Sequence, residues 1–170
     1  MTKKKNIEWK KGDIFLVPLV YGLNGEKDLS GQFSIAQVLE KIDKVTGGVL
    51  CAFYDVKIAR EDEYDQVKLT IDDTKVVSVQ FTSIDLLNSG VWKVVDHSDN
   101  IVSSKEYFDI DSIMLEGGAG IRVVGSGMMI YFMSAYYRLL PWNIAHDPEY
   151  FDKLLISKSK KPKNVLLKDD

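Results

Sequence analysis

The residues of this chain able to do chemistry are two histidines, one cysteine, one serine between glycines, a cluster of glycines and a run of carboxylates. His97 stands beside a turn with Asp99, a pair that could contribute to a metal site. Zinc takes three or four protein ligands, and neither His97 nor His146 sits in an H-E-x-x-H motif or beside a second histidine. The expectation is a solvated turn and no metal. Cys51 is the single cysteine and lies in the apolar run Val49-Leu50-Cys51-Ala52-Phe53. One thiol cannot form an internal disulfide or a thiolate metal site, so Cys51 is expected as a small buried hydrophobe.

The glycine cluster is Gly117, Gly118, Gly120, Gly125 and Gly127. A dinucleotide fingerprint starting at Gly118-Ala119-Gly120 would need its third glycine where Val123 stands. A phosphate loop would need Lys and Ser or Thr after Gly125, where the chain has Ser126-Gly127. Both patterns fail at residues that would approach phosphate, which leaves two turns around a short strand. Ser126 also lacks the nucleophile elbow, because Val124 and Met128 occupy the outer places of G-x-S-x-G. Its expected role is a helix cap. No pair of carboxylates is singled out for acid–base work, and basic residues do not interleave with aromatics as RNA binding would require. Cofactors, catalytic residues and metal ligands are therefore all expected to be none, and the chain is read as no enzyme.

The carboxylates concentrate in one region. Residues 55–116 hold 14 acidic and 6 basic groups, whereas residues 1–54 hold 6 and 8, and residues 117–170 hold 5 and 8. The densest run is Glu61-Asp62-Glu63-Tyr64-Asp65, followed by Asp72-Asp73. An acidic surface repels nucleic acid and attracts basic proteins. These six carboxylates, Glu61, Asp62, Glu63, Asp65, Asp72 and Asp73, are the candidate partner-binding residues.

The elements that must position them follow from hydropathy. Residues 14–19 read as a strand that ends at Pro18 or lies at an edge, since proline cannot donate to a ladder. A loop at Asn24-Gly25 leads to a strand over 32–41. There Phe33, Ile35, Gln37 and Leu39 face one way, and Ser34, Ala36, Val38 and Glu40 the other. A turn at Thr46-Gly47-Gly48 makes a hairpin with a strand over 49–58. After an acidic loop over 60–66, strands are expected over 67–71 and 76–81. Thr82 should cap a short helix that Gly90 ends in the left-handed conformation. A strand follows over 91–95 with Trp92 and Val94 on one face, then a turn at Ser98-Asp99-Asn100, and a short buried strand over 121–124. A helix apolar nearly all round should run over 128–140, stopped by Pro141. Asp147-Pro148-Glu149 opens a third helix. The expected fold class is α+β: mostly antiparallel β, as a twisted sheet or SH3-like partial barrel, with a short central helix and two C-terminal helices. Residues 1–157 should form one domain and 158–170 a basic flexible tail.

Composition agrees. The 170 residues are 45% hydrophobic and include 18 aromatics, enough for one buried core and too many for a disordered chain. The N-terminus has lysines but no apolar run after them, and the most apolar stretch, 128–140, is too short for a bilayer. The expected location is the cytoplasm, with no membrane partner and no nucleic acid.

Three stretches carry a family resemblance: KKGDIFLVPL with GQFSIAQVLE near the start, SGVWKVV in the middle, and AYYRLLPWNIAHDPEYFDKLLI near the end. In this order, over roughly residues 9–157, the chain resembles the immunity protein 26 family of bacterial polymorphic toxin systems. The resemblance implies a small cytoplasmic protein that binds and neutralises a cognate toxin in the producing cell; a basic nuclease domain would suit the acidic region. It brings no catalytic residues. The opening Gly-Asp-Ile-Phe-Leu-Val also resembles SH3-like barrel ribonuclease toxins. Those carry an Arg-Pro-Val segment where this chain has Ala36-Gln37-Val38, with no arginine between Asp13 and Arg60, so the phosphate-stabilising cation is lacking. A non-catalytic ligand-binding or scaffold domain is the third reading.

Overall fold

The computed structural model describes residues 6–22, 28–41, 48–103, 106–107, 111 and 121–169. The expected turns at Asn24-Gly25 and Thr46-Gly47, and the glycines 117, 118 and 120, lie outside them. Five antiparallel strands form one sheet: β1 (Asp13–Tyr21), β2 (Asp28–Lys41), β3 (Gly48–Ile58), β4 (Val76–Ser83) and β5 (Lys93–His97). The spatial order is β4-β3-β2-β1-β5. The short helices are α1 (Tyr64–Val67), α2 (Asp85–Ser89), α3 (Ser126–Tyr136) and α4 (Tyr150–Leu154). The fold is thus α+β with a mostly antiparallel sheet.

Both faces of the sheet are covered, which is why β3 is buried almost without a break from Gly48 to Tyr54. Phe15, Val38, Cys51 and Phe53 face one core, where Trp92 stacks on Phe15 at 4.9 Å and α3 and α4 pack. Ile14, Ile35, Leu50 and Tyr54 face a second core, closed in part by Tyr64, Val67 and Ile71. The alternation expected along β2 is this division: Ile35 and Leu39 point to the second core, Ala36 and Val38 to the first. Pro18 lies inside β1 rather than at its end. The β5 ladder covers only Asp13 to Leu16, and the register with β2 shifts between Pro18 and Val20, so proline costs no hydrogen bond on the β5 side.

Four local expectations change. Residues 67–71 are not a strand: α1 passes into a 3-10 turn at Lys68–Thr70. The apolar alternation Val67, Leu69, Ile71 competes there with the helical spacing Tyr64, Val67, Ile71. The second spacing buries Tyr64 and turns Leu69 out to solvent. Residues 121–124 are no buried strand either; only Val124 is buried, bridging parallel to Thr82. Thr82 is buried in β4 and caps nothing, while Gly90 does end α2 at φ 79°. Ser126 does not cap α3. Its backbone N–H donates to Ser83 Oγ at 2.9 Å and its hydroxyl donates to Asp85 Oδ1 at 2.9 Å, so the end of α3 is tied to β4 and α2.

Helix α3 also stops before Pro141. Arg138 takes φ 62°, with its N–H donating to Ala135 O at 3.0 Å and the Leu139 N–H to Ser134 O at 2.9 Å. This is the Schellman arrangement, with an arginine where glycine is favoured. A side chain in the left-handed region is strained, so Arg138→Gly is expected to stabilise the protein by about 0.5–1 kcal/mol in a urea titration. An unchanged midpoint would mean that the Arg138 side chain offsets its own backbone strain.

The segment beyond 157, read from sequence as a basic tail, makes specific contacts. Leu166 O accepts the Trp142 N–H at 2.7 Å, Lys160 Nζ reaches Thr74 O at 2.6 Å, and Lys161 pairs with Asp152 at 2.8 Å.

Candidate partner-binding face

Between β3 and β4 the chain leaves the sheet and builds a ridge from short helical turns: Glu61–Glu63, then α1, then Lys68–Thr70 and Asp73–Lys75. Tyr64 anchors it, buried in the second core, with its hydroxyl donating to Asp96 Oδ2 at 2.9 Å. All six candidate carboxylates lie on this ridge, but they differ in their engagements. Glu61 pairs with Lys93 at 2.6 Å, and Asp65 with Lys68 at 3.2 Å. Arg60 lies between Asp62 at 3.3 Å and Glu63 at 3.5 Å, and Glu63 also accepts the Ala59 N–H. Asp72 accepts the Thr74 N–H and hydroxyl, which holds its carboxyl below the usual range and starts the last turn. Asp73 carries no side-chain hydrogen bond or ion pair among the described residues. Exposed pairs of this kind contribute about 0–1 kcal/mol each, so the ridge owes its shape to Tyr64, Val67 and Ile71.

In the turn Lys68–Thr70, Leu69 is 93% exposed.

Beneath the ridge, on the second face of the sheet, is an open cavity of about 660 Å³. Its floor is Gln37 and Tyr54, and the turn after β5 forms its far wall. A polar network runs under it. Gln37 Nε2 donates to Gly12 O at 3.1 Å and Ser98 O at 3.2 Å, and Gln37 Oε1 accepts from Tyr54 OH at 3.1 Å. Burial, and then the charge of Asp73, raise the Tyr54 phenol well above its ordinary value. Asp96 accepts the His97 N–H and the Tyr64 hydroxyl, which lower its carboxyl.

At the rim His97 lies between two carboxylates, Nδ1 2.9 Å from Asp13 Oδ1 and Nε2 3.0 Å from Asp99 Oδ1. Asp13 is buried, and its other oxygen accepts the Lys10 N–H. Gly12 is required beside it: at φ 90°, a Cβ would come within 2.7 Å of both His97 Cε1 and Ser98 O. The Asp13 hydrogen bond, and next that of Asp99, raise the His97 pKa above the ordinary histidine value. A raised folded value means that protonation stabilises the fold. The contribution is complete below about 6.5, the unfolded value, and is lost as pH rises through the folded one. His97→Asn is expected to flatten the pH dependence of stability in that window. An NMR titration of His97 at or below the free-histidine value would contradict the geometry.

Gln37, Tyr54, Tyr64, Asp96 and the Asp13–His97 pair were not singled out from the sequence. They come from separate strands and turns and share no local motif. One signal was present: Gln37 is the polar member of an otherwise apolar strand face. Ser126 and Cys51 lie away from this face. Cys51 is fully buried near Thr82 Oγ1, and burial pushes its thiol up to about 12. Among the described residues, no group of three or more His, Cys, Asp or Glu is placed to hold a metal ion, and no helix is long and apolar enough to cross a membrane.

Compared with known proteins, the chain matches no family model, no curated protein and no solved structure.

Proposed function

We propose that this protein is an immunity protein: it binds a cognate bacterial toxin in the producing cell and blocks it without catalysis. The observation that supports the reading is the ridge, an acidic run folded into short helical turns that also exposes Leu69. An isolated acidic loop has a sufficient explanation in solvation. An exposed leucine on the same segment as these carboxylates is the composition of an interface, in which an apolar anchor is accompanied by polar groups. A nuclease toxin must hold phosphates in a basic groove, and the ridge carboxylates would complement it.

The test is co-expression with the product of the neighbouring toxin gene. Cells should survive only when this protein is present, and the two should co-purify. A neighbouring product that is harmless, or that kills equally with and without this chain, would overturn the reading.

A further inference from the structure

His97 places both ring nitrogens against carboxylates, Nδ1 2.9 Å from Asp13 Oδ1 and Nε2 3.0 Å from Asp99 Oδ1. An ionised carboxylate only accepts hydrogen bonds, and a neutral imidazole has a single N–H to give. Both contacts are hydrogen bonds together only in the imidazolium, so this arrangement belongs to the protonated ring. The two carboxylates are unequal. Asp13 opens β1 with its side chain 9% exposed, and its second oxygen already accepts the Lys10 N–H. Asp99 stands on the turn after β5 with its side chain fully exposed. Losing the histidine would leave a buried oxygen of Asp13 unsatisfied, whereas water replaces the contact at Asp99. When the ring gives up one proton, that proton therefore leaves Nε2, and the Nδ1–H stays on Asp13. The Nε2 lone pair then faces the Asp99 carboxylate and repels it. The base of the turn is pinned independently: the Ser98 N–H donates to Gly12 O at 3.0 Å, and Ser98 O accepts from Gln37 Nε2 at 3.2 Å. Beyond Ser98 the tip depends on the Asp99 pair and on bonds of 3.2 and 3.4 Å between Ser98 Oγ and the Asn100 backbone, until Val102 enters the second core.

We propose that His97 is a proton-operated latch on the turn Ser98-Asp99-Asn100: the imidazolium ties the tip of the turn to the start of β1, and the neutral ring keeps Asp13 and releases Asp99. Ser98 and Asn100 line the cavity, so its rim changes with the proton. The charged groups around the ring set the direction. Asp13, Asp99 and Asp96, which accepts the His97 N–H, favour the cation, and Lys10 opposes it. The Asp13 hydrogen bond, and then that of Asp99, place the ring above the ordinary histidine value, so the latch is closed below about 6.5 and opens as pH rises through the folded value. It rests on the geometry of this turn and not on the binding function proposed above.

The experiment is an NMR pH titration of the full chain that follows the two ring nitrogens of His97 and the backbone order of residues 98–100. Above the transition Nδ1 should carry the remaining proton. The order parameters of Asp99 and Asn100 should fall there from about 0.85 towards about 0.6, while Ser98 stays ordered. Asp99→Ala, a substitution at an exposed side chain, should make the tip as mobile at low pH as the unaltered protein is at high pH, and should lower the His97 midpoint. A neutral His97 protonated at Nε2 would overturn the proposal, because Asp99 would then be the partner kept. A tip whose order is constant across the His97 titration, or one equally ordered at low pH in Asp99→Ala, would overturn it as well. The immunity reading is decided separately, by the survival assay, and stands or falls without the latch.

Discussion

Replacing Glu61, Asp62, Glu63 and Asp65 together by Gln, Asn, Gln and Asn is expected to abolish protection of toxin-expressing cells while the protein stays folded. The fold should survive because these carboxylates are exposed or half-exposed, and their ion pairs to Arg60, Lys68 and Lys93 are surface pairs of small value. The Ala59 N–H keeps an acceptor after Glu63→Gln, since an amide retains its carbonyl oxygen. Binding should suffer where charge matters most, in the rate of encounter. Loss of four negative charges from one ridge should slow association about tenfold or more at low salt and flatten its dependence on ionic strength. Asp72 is left intact because it holds the Asp73–Lys75 turn. If the variant associates at the original rate in low salt and still protects, the ridge is a bystander and the interface lies on another face. Leu69→Ala separates the two parts of the ridge: it should leave the association rate alone and speed dissociation, as truncation of an apolar anchor does.

Trp142→Ala is expected to be the most damaging single substitution for stability, at about 3–5 kcal/mol. Trp142 is 2% exposed and closes a triangle with Phe132 and Phe151, with ring centroids 5.7 and 5.6 Å away and the other two rings 5.7 Å apart. It is also a joint between segments. Its backbone N–H donates to Leu166 O, its indole N–H donates to Asp152 Oδ1 at 3.3 Å, and Lys161 lies over its ring. Removing the ring should loosen α3, α4 and the C-terminal segment together. A domain of this size loses about 2–4 °C for each kcal/mol, so the melting temperature should fall by roughly 10 °C. Trp142→Phe, which keeps an aromatic in the triangle, should cost much less. A melt unchanged by Trp142→Ala, with partner binding lost, would make this residue a binding anchor instead of core.

Local sequence and tertiary structure divide this protein along the range of the forces involved. Local sequence located the five strands of the sheet and the class of fold, and added strands over 67–71 and 121–124 that are not formed. The period-2 pattern of 32–41 depends only on which side chains avoid water, and Gly90 ends α2 because a left-handed residue without a Cβ is a local requirement. The same reasoning placed Cys51 in the core and found the acidic run. Tertiary structure decided the rest. Residues 67–71 carry both a strand and a helical pattern, and only the position of the second core, which takes Tyr64 and Ile71 and leaves Leu69 outside, selects the helical one. Ser126 has a cap's composition, yet Ser83 and Asp85, more than forty residues earlier, supply the bonds at that end of α3. Residues 137–140 have no breaker before Pro141, but Arg138 accepts a left-handed backbone so that the chain can turn Trp142 into the aromatic triangle. The cavity, with Gln37, Tyr54, Tyr64, Asp96 and the carboxylate-held His97, exists only because antiparallel pairing sets β1 beside β5 and a helical turn over β3. Spacing along the chain carries no information about distance across a sheet, so the charge of this face was legible from the residues and its shape was not.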